Sequence, residues 1–564
     1  TQGYSSAASD VYKRQNKYTP TKKTEDLKEY FNISSDDEAA LIVDNELSDY
    51  KAKIIDKKIY VDYKFVHDSL NSRFYWDANE NVLLYTTASD IISAAADSNS
   101  YSVTKQTNDF GYPIVKATSD SALIALDYVK QYSNITFKSY DDPARIVITS
   151  KWDEIDSATV SKSTQIRVKG GIKSPILKEV KKDDKITILD SGDKWDKVAT
   201  EDGVIGYIKR KALSESKKTK LTNPDYEEET FTHIKKDKDI CLAWNQVTSQ
   251  SANSKVPQVI SSTKGINVMS PTWFYLNDNN GNLADIASKD YVSYCHSQGI
   301  EVWGLFSNFE NTDVDAAYVL THTSTRTTLI NQIMSAAFNY ELDGVNIDFE
   351  NITEAAYGDS YIEFIRELAI KCHNNGISLS VDVTVPASFN KFFNRSDMAN
   401  FADYIVIMGY DEHYKGSDAG SVSSIPWVTE GVESTLKEVP ADQIILGMPF
   451  YTRIWELTPK EDDDAVTDTE DQSKYTVASQ VYSMDAAAAQ LATNNATAAL
   501  DEESGQNYAE WSVSNKLYKV WLEDTTSLEK RLKLVDDNKL AGAAFWKLGF
   551  ENSSVWDTVI KYLN

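Results

Sequence analysis

The chain has 564 residues, of which 41% are hydrophobic and 25% charged, a balance that is typical of folded protein and excludes a chain that is disordered throughout. Its formal net charge of −27 excludes nucleic acid and anionic lipid as partners bound through bulk positive charge. This length predicts about two to four domains. The three cysteines, Cys241, Cys295 and Cys372, provide neither a disulfide framework nor the spacing of a metal site.

The start of the chain carries no recognisable targeting signal. Residues 1–15 have neither the basic start nor the apolar core of a signal peptide, and the sequence has no initiator Met. No segment approaches the roughly 20 consecutive apolar residues that a membrane-spanning helix needs. We therefore expect residues 1–23 to be disordered or spurious, and the export signal to be missing from this chain.

Residues 24–154 are predicted to form a small α+β domain. Short β-prone runs at 41–46, 58–63 and 81–85 are bounded by turn residues, and the apolar spacing of residues 121–132 favours an amphipathic helix. The order of these elements resembles the amine-oxidase N-terminal-like module of exported bacterial proteins. No catalytic constellation is visible in this segment.

Residues 155–213 are predicted to form a second, β-rich domain. Four short strand-like runs alternate with Gly and Asp turns, and their pattern resembles a bacterial SH3 domain. The resemblance implies a contact with cell-wall peptide, although Trp195 and Tyr207 could equally fill the core of a small barrel. Residues 214–238 are rich in Lys and then in Glu, which predicts a solvated linker.

Residues 239–564 alternate strand-like and helical patterns. Eight apolar runs begin near positions 240, 265, 301, 344, 378, 404, 444 and 542, with helical spacing between most of them. Eight such units predict an α/β fold, a (β/α)8 TIM barrel with its active site at the carboxyl ends of the strands. The long gap before the last strand predicts a small α+β insertion at about 456–525.

The chemistry is concentrated in residues 342–350, which read LDGVNIDFE. Side chains alternate along a strand, so Asn346, Asp348 and Glu350 share one face and the apolar residues between them share the other. In a barrel this polar face points inward, where buried polar groups are costly unless they serve a function. Glu350 comes last and is expected at the rim, within reach of a substrate.

This segment resembles the signature DxxDxDxE of family 18 glycoside hydrolases. Asp343, Asn346, Asp348 and Glu350 occupy its four positions, with Asn in place of the second acid. Three later strand ends also match the family, in the same order. They are residues 408–411 (MGYD), residues 447–453 (GMPFYTR) and Trp546.

The resemblance implies retaining hydrolysis assisted by the N-acetyl group of the substrate. It implies that Glu350 donates the proton, that Asp348 raises the pKa of Glu350 and stabilises the intermediate, and that Tyr410 binds the attacking carbonyl. Asn346 is expected to hydrogen-bond Asp348 and to alter the pH dependence. The expected substrate-binding residues are Asn346, Asp343, Met408, Asp411, Tyr451, Arg453 and Trp546. The resemblance implies no metal and no cofactor.

Further stretches resemble the spore cortex-lytic and cell-wall N-acetylglucosaminidases of Gram-positive bacteria, such as 424–428 (SIPWV) and 546–551 (WKLGFE). They favour peptidoglycan as the substrate and an extracellular or cell-wall location. Two alternatives stay open. One is a chitinase or endo-N-acetylglucosaminidase that acts on other N-acetylated glycans. The other is a non-catalytic glycan-binding protein on the same fold, which the presence of Glu350 disfavours.

Overall fold

The computed structural model describes residues 17–353, 355–460 and 471–563. It divides into two compact units. Of the described residues, one unit comprises those up to Tyr85 together with Ile92–Glu229, and the other comprises Thr86–Ile91 and those from Thr230 onward. Within the described residues, no helix has both the length and the apolar character needed to cross a membrane.

The N-terminal part of the chain is dominated by short strands. In chain order they are β1 (Glu38–Val43), β2 (Glu46–Ile55), β3 (Lys58–Asp62), β4 (Tyr75–Asp77), β5 (Val82–Thr86), β6 (Ile91–Ala95), β7 (Ser100–Val103), β8 (Gln106–Asp109), β9 (Val115–Ala117), β10 (Ala122–Ala125), β11 (Thr136–Tyr140), β12 (Arg145–Thr149), β13 (Glu154–Thr159), β14 (Thr164–Arg167), β15 (Ile176–Val180), β16 (Lys185–Asp190), β17 (Trp195–Thr200), β18 (Ile205–Lys209) and β19 (Lys217–Lys220). Short helical segments lie at Leu27–Tyr30, Tyr63–Phe65, Val66–Leu70, Leu126–Gln131 and Arg210–Ala212.

These strands form three sheets. Their orders are β11-β12-β1-β2-β3-β10-β9, β4-β5-β6-β7-β8 and β15-β14-β18-β17-β16-β13-β19. The predicted helix over 121–132 is wrong in its first part. Residues 122–125 form β10 because their backbone groups pair with β3 on one side and β9 on the other, and only Leu126–Gln131 is helical.

The third of these sheets covers the segment that resembles an SH3 domain. Its apolar core contains Val160, Ile166 and Val198, and the same core cluster contains Phe31 and Ile42 from the preceding segment. Residues on both sides of the expected boundary at 155 therefore pack into one core. The boundary and the SH3 resemblance stay predictions.

The second unit is built on parallel strands. In chain order its first strands are β20 (Ile240–Asn245), β21 (Val268–Leu276), β22 (Leu283–Asp285), β23 (Glu301–Ser307), β24 (Gly344–Asp348), β25 (Ser378–Thr384), β26 (Tyr404–Met408) and β27 (Ile444–Pro449). After an insertion, β33 (Gly542–Trp546) follows. The α-helices around them are Val256–Ile260, Lys289–Ser297, Ala316–Thr321, Thr323–Tyr340, Ala355–His373, Arg395–Phe401, Ile425–Leu436, Thr525–Asp537 and Val555–Tyr562. Short 3-10 turns lie at Gln250–Lys255, Ser388–Asn390 and Ala441–Gln443.

Eight of these strands close into a barrel. The sheet order is β20-β33-β27-β26-β25-β24-β23-β21-β22, and β20 also pairs with β21, so the sheet closes on itself. The eight barrel strands are parallel, and only the short β22 pairs antiparallel, on β21. The predicted (β/α)8 barrel is confirmed.

An antiparallel sheet lies in the chain between β27 and β33, where the sequence predicts an insertion. Its strands are β28 (Tyr451–Pro459), β29 (Tyr475–Ser483), β30 (Ala499–Asp501), β31 (Gln506–Val513) and β32 (Lys516–Trp521). The helix Met484–Thr493 and the 3-10 turn Gln472–Lys474 complete it, and part of the predicted range, 461–470, lies outside the described residues.

Candidate active site

Strand β24 delivers two carboxyl groups to the carboxyl end of the barrel. Its outward side chains, Val345 and Ile347, are fully buried in the core between barrel and helices, with Phe349 directly beyond the strand. This apolar set fixes which face turns outward. Asp348 and Glu350 therefore project to the opposite side, as the alternation of the sequence predicts.

A cleft of about 460 Å³ opens at this end of the barrel. It brings together seven of the expected site residues, Asp348, Glu350, Met408, Tyr410, Asp411, Tyr451 and Trp546. The other lining residues are Gln246, Val247, Thr248, Thr272, Tyr275, Ile286, Leu305, Phe309 and Glu310. Carboxyl groups, hydroxyls and aromatic rings therefore face one space, and its lining contains neither Lys nor Arg.

Glu350 lies at the rim of the cleft, and Asn308 fixes its backbone. The Asn308 side chain donates to the Glu350 carbonyl over 2.9 Å and accepts from the Glu350 N–H over 2.8 Å. Partial burial, followed by the charges of Asp411 and Glu310, raises the pKa of the Glu350 carboxyl. A carboxyl with a raised pKa retains its proton closer to neutral pH, as a general acid requires.

Asp348 lies deeper, with only 7% of its surface exposed. Burial raises its pKa to about 8, and the charges of Glu350 and Glu310 add to that rise. Its Oδ1 atom is buried and makes no hydrogen bond within the described residues. An unpaired buried carboxyl oxygen is costly, so this atom is available to a donor from a ligand or a neighbouring acid.

Tyrosine and tryptophan side chains form the other walls. The Tyr451 hydroxyl donates a hydrogen bond to Asp411, and the Tyr451 ring lies 6.2 Å from the Tyr410 ring at 75°. Burial, together with the nearby Asp348 charge, raises the pKa of the Tyr410 hydroxyl well above its usual value. Tyr410 therefore stays a neutral hydrogen-bond donor at ordinary pH.

Asn346 lies beneath the cleft and does not line it. It is completely buried, its oxygen accepts from Trp244 over 2.9 Å and from Ser270 over 3.0 Å, and its nitrogen donates to Ser380 over 3.0 Å and to Asp382 over 2.7 Å. The expectation that Asn346 hydrogen-bonds Asp348 is therefore corrected. Both hydrogens of its amide nitrogen are already directed at β25.

Asp343 and Arg453 also lie outside the cleft lining. Asp343 precedes β24, roughly 20 Å along the strand from Glu350, and accepts from the Val302 N–H and from His296, each over 2.8 Å. This position at the amino end of the barrel does not support the expected substrate contact. Arg453 lies on β28 and donates to Ser479 over 3.3 Å.

Three polar residues near the carboxyl groups were missed by the sequence analysis. Glu310 lines the cleft and accepts from the Ser307 hydroxyl over 2.6 Å. Asn308 precedes it, and both follow the end of β23, so their place at a strand end was the available signal. Asp382 is the one acid in a strand whose other polar residues are Ser and Thr, and the sequence offered no motif for it.

Within the described ranges, no group of three His, Cys, Asp or Glu side chains is arranged to hold a metal ion. Residues 308–551 match the family described as glycosyl hydrolases family 18. This match includes β24, the 408–411 segment and β33.

Individual proteins show the same likeness. A glycosylase of Bacillus subtilis, YvbX, is 24% identical over 302 residues, which are 50% of this chain and 81% of the relative. A cortical fragment-lytic enzyme of Bacillus subtilis is 24% identical over 287 residues, 49% of this chain and 63% of the relative. The crystal structure of a Bacillus cereus spore cortex-lytic enzyme superposes with a TM-score of 0.50 at 19% identity, over 59% of this chain and 76% of that one.

Proposed function

We propose that this chain, whose barrel carries a family 18 glycoside hydrolase domain, hydrolyses β-glycosidic bonds next to N-acetylglucosamine with retention of configuration. The match over residues 308–551 confirms the prediction of a glycoside hydrolase. The observation that carries the proposal is the pairing of Glu350 at the rim with Asp348 below it in one cleft.

In the proposed first step, Glu350 gives its proton to the glycosidic oxygen as the bond from that oxygen to the anomeric carbon breaks. The carbonyl oxygen of the substrate's own N-acetyl group attacks the same carbon and forms a cyclic oxazolinium ion. Asp348 accepts a hydrogen bond from the N–H of that acetamido group and balances the positive charge. In the second step, water attacks the anomeric carbon as the bond from that carbon to the acetamido oxygen breaks, which regenerates the N-acetyl group. The water gives a proton to the Glu350 carboxylate, so the acid is restored.

The aromatic walls hold the sugar for these steps. The Tyr410 hydroxyl donates to the attacking carbonyl oxygen, Asp411 accepts from sugar hydroxyls, and Trp546 stacks beneath the ring. The Trp546 ring packs edge-on against Trp244 at 6.0 Å, which fixes its plane. Met408 and Tyr451 complete the lining near the reacting sugar. An N-acetylated glycan is the substrate class that this arrangement requires.

Among such glycans, we propose bacterial peptidoglycan, acted on outside the cell or at the cell wall. Support comes from the relative named as a cortical fragment-lytic enzyme and from the segment that resembles a bacterial SH3 domain. Chitin and glycoprotein glycans also carry the required N-acetyl group and are the alternatives.

A groove in the SH3-like segment supports a contact with cell-wall peptide. It has a volume of about 520 Å³, and Trp195 lies in it with four basic residues, Lys194, Lys209, Arg210 and Lys211, and one acid, Asp193. The Lys209 ammonium lies 5.9 Å from the centre of the Trp195 ring. Basic groups beside an aromatic surface suit the carboxylates of a peptide, and Tyr207 does not line this groove.

Analysis of products by mass spectrometry tests the proposed reaction. Purified peptidoglycan and colloidal chitin are digested in parallel with wild type and with Glu350→Gln. We expect wild type to release fragments that end in reducing N-acetylglucosamine from peptidoglycan, while Glu350→Gln binds the glycan without cleaving it. Cleavage of chitin alone would select the alternative substrate. Equal rates for both proteins would refute the role of Glu350.

Binding to purified cell walls tests the groove. The triple variant Lys194→Gln, Lys209→Gln and Lys211→Gln should bind several-fold more weakly, because three of the four cations that line the groove are lost. A matched control removes three lysines from 181–185, namely Lys181, Lys182 and Lys185, which do not line the groove. Equal loss in both variants would show that bulk charge, and not this groove, determines the binding.

A further inference from the structure

Asp382 occupies the interior of the barrel at the level of Asp348. The parallel register pairs Asn346 with Ser380 and Ile347 with Val381. Continued by one residue, the same register places Asp348 beside Asp382. Neighbouring strands lie about 4.8 Å apart, and both side chains point inward because the alternate residues Ile347 and Val381 belong to the outer core. Asp382 is 3% exposed.

The Asn346 amide determines how Asp382 is held. Its oxygen accepts from Trp244 and Ser270, so its nitrogen must face β25, where it donates to Asp382 over 2.7 Å. An acid at position 346 would instead place a second acceptor against Asp382. The Asn that departs from the family signature is therefore matched by a carboxyl group on the neighbouring strand.

Two carboxyl groups side by side in this dry interior are not both ionised, because like charges repel strongly where water is excluded. Burial and the charges of Asp348 and Glu350 raise the pKa of Asp382 well above its usual range, although the Asn346 hydrogen bond opposes this. The other titratable groups that interact with Asp382 are Tyr410 after β26 and Tyr361 on the helix Ala355–His373.

We propose that Asp382 is a positioning residue that shares one proton with Asp348. This inference rests on the proposed function. In the resting protein the pair holds one proton and one negative charge. When substrate binds, the proton stays on Asp382, and the Asp348 carboxylate turns to accept the hydrogen bond from the acetamido N–H. No proton is gained or lost in this step.

The variant Asp382→Asn tests the sharing directly. An amide can still accept the hydrogen bond from Asn346, but it cannot share a proton with Asp348. We expect kcat on an N-acetylated oligosaccharide to fall roughly 100-fold, the order of loss that a misplaced catalytic group produces, with a smaller change in KM and a displaced pH profile. The matched control is Ser378→Ala, on the same strand and face, where the hydroxyl makes no hydrogen bond within the described residues.

The double variant Asn346→Asp and Asp382→Asn distinguishes proton sharing with Asp348 from a role of Asp382 in packing alone. It restores two acids and one amide in the barrel interior, with the amide on the other strand. We expect this double variant to recover part of the lost kcat and to have a pH profile closer to wild type than Asp382→Asn alone. An Asp382→Asn protein with the kcat and pH profile of wild type would overturn the inference, as would a double variant with no recovery.

A readout without substrate distinguishes this inference from the proposed function. An acid whose pKa is raised on folding lowers stability as pH rises from its unfolded value near 4 toward the folded one, because the folded state keeps the proton. Asp382→Asn should therefore raise the melting temperature at pH 8 relative to wild type and not at pH 4. The same difference at both pH values would refute the shared proton even if the chain cleaves none of the glycans tested. Inactive wild type with the expected pH dependence would refute only the proposed function.

Discussion

Asn308 holds both backbone groups of Glu350, since its side-chain amide accepts from the Glu350 N–H over 2.8 Å and donates to the Glu350 carbonyl over 2.9 Å. The next residue, Asn351, has a φ of 61°, so the chain leaves the strand direction at this point. The end of β23 therefore fixes the end of β24. This contact determines where the proposed acid enters the cleft.

Asn308→Ala should lower kcat about tenfold, equivalent to 1.4 kcal/mol, because the Glu350 carboxyl loses its fixed direction. KM should change little, since Asn308 does not line the cleft. Steady-state kinetics on an N-acetylated oligosaccharide measure both constants. The control is Asn311→Ala in the same loop, where the amide donates to the Asn277 carbonyl and accepts from the Asp313 N–H. A kcat equal to that of the control would contradict the proposed role of the contact between Asn308 and Glu350.

Glu310→Gln should shift the alkaline limb of the rate profile to lower pH. The Glu310 charge raises the pKa of Glu350, so its removal lowers that pKa, and the acid loses its proton at a lower pH. A pH profile of kcat/KM measures the shift. Glu341→Gln, at an exposed position before β24, is the control and should leave the limb in place. If the alkaline limb of Glu310→Gln lay at the same pH as in wild type, the Glu310 charge would have no effect on the pKa of Glu350.

Tyr451→Phe should weaken catalysis without unfolding the insertion. It removes the hydroxyl that bonds Asp411, and a hydrogen bond to a charged group is usually worth about 1.5–3 kcal/mol. We expect transition-state stabilisation to weaken by a free energy in this range, which lowers kcat/KM accordingly. Tyr482→Phe, on the neighbouring strand β29, loses only a 3.3 Å contact with Gln480 and serves as the control. Equal activity of the two variants would argue against a role for the Asp411 contact.

Arg531→Met should destabilise the folded protein by about 3–5 kcal/mol, because it leaves the buried Glu523 carboxylate unpaired. Arg531 is completely buried and donates to both Glu523 oxygens over 2.6 and 2.8 Å. Denaturant unfolding measures the change. Lys533→Met, which breaks only an exposed pair with Asp537, should change stability by less than about 1 kcal/mol. Similar losses in both variants would contradict the importance of burial.

The sequence predicts the barrel and the two carboxyl groups well, because strand alternation alone determines which face of β24 turns inward. Asp348 and Glu350 reach the cleft as that alternation requires. The substrate contact expected for Asp343 rested on the motif and not on strand alternation. Asp343 belongs to the same motif, yet it lies at the amino end of the strand, so membership of a motif did not indicate its height in the barrel.

The alternation of a single strand could not reveal the role of Asp382, because that role depends on a neighbouring strand. Asp382 is significant only through the register between β24 and β25, and a single chain pattern does not reveal which residues are paired across strands. The first part of the helix expected over 121–132 failed similarly, since pairing with β3 and β9 outweighs the helical spacing of residues 122–125.

The configuration of the first sugar released tests the central claim most directly. Proton NMR, recorded as an N-acetylated oligosaccharide is cleaved and before mutarotation, measures the anomer formed at the new reducing end. Attack by the acetamido oxygen followed by water inverts the anomeric carbon twice, so the account predicts the β anomer. Release of the α anomer would mean that water attacks directly, and would contradict the roles proposed for Asp348 and Glu350.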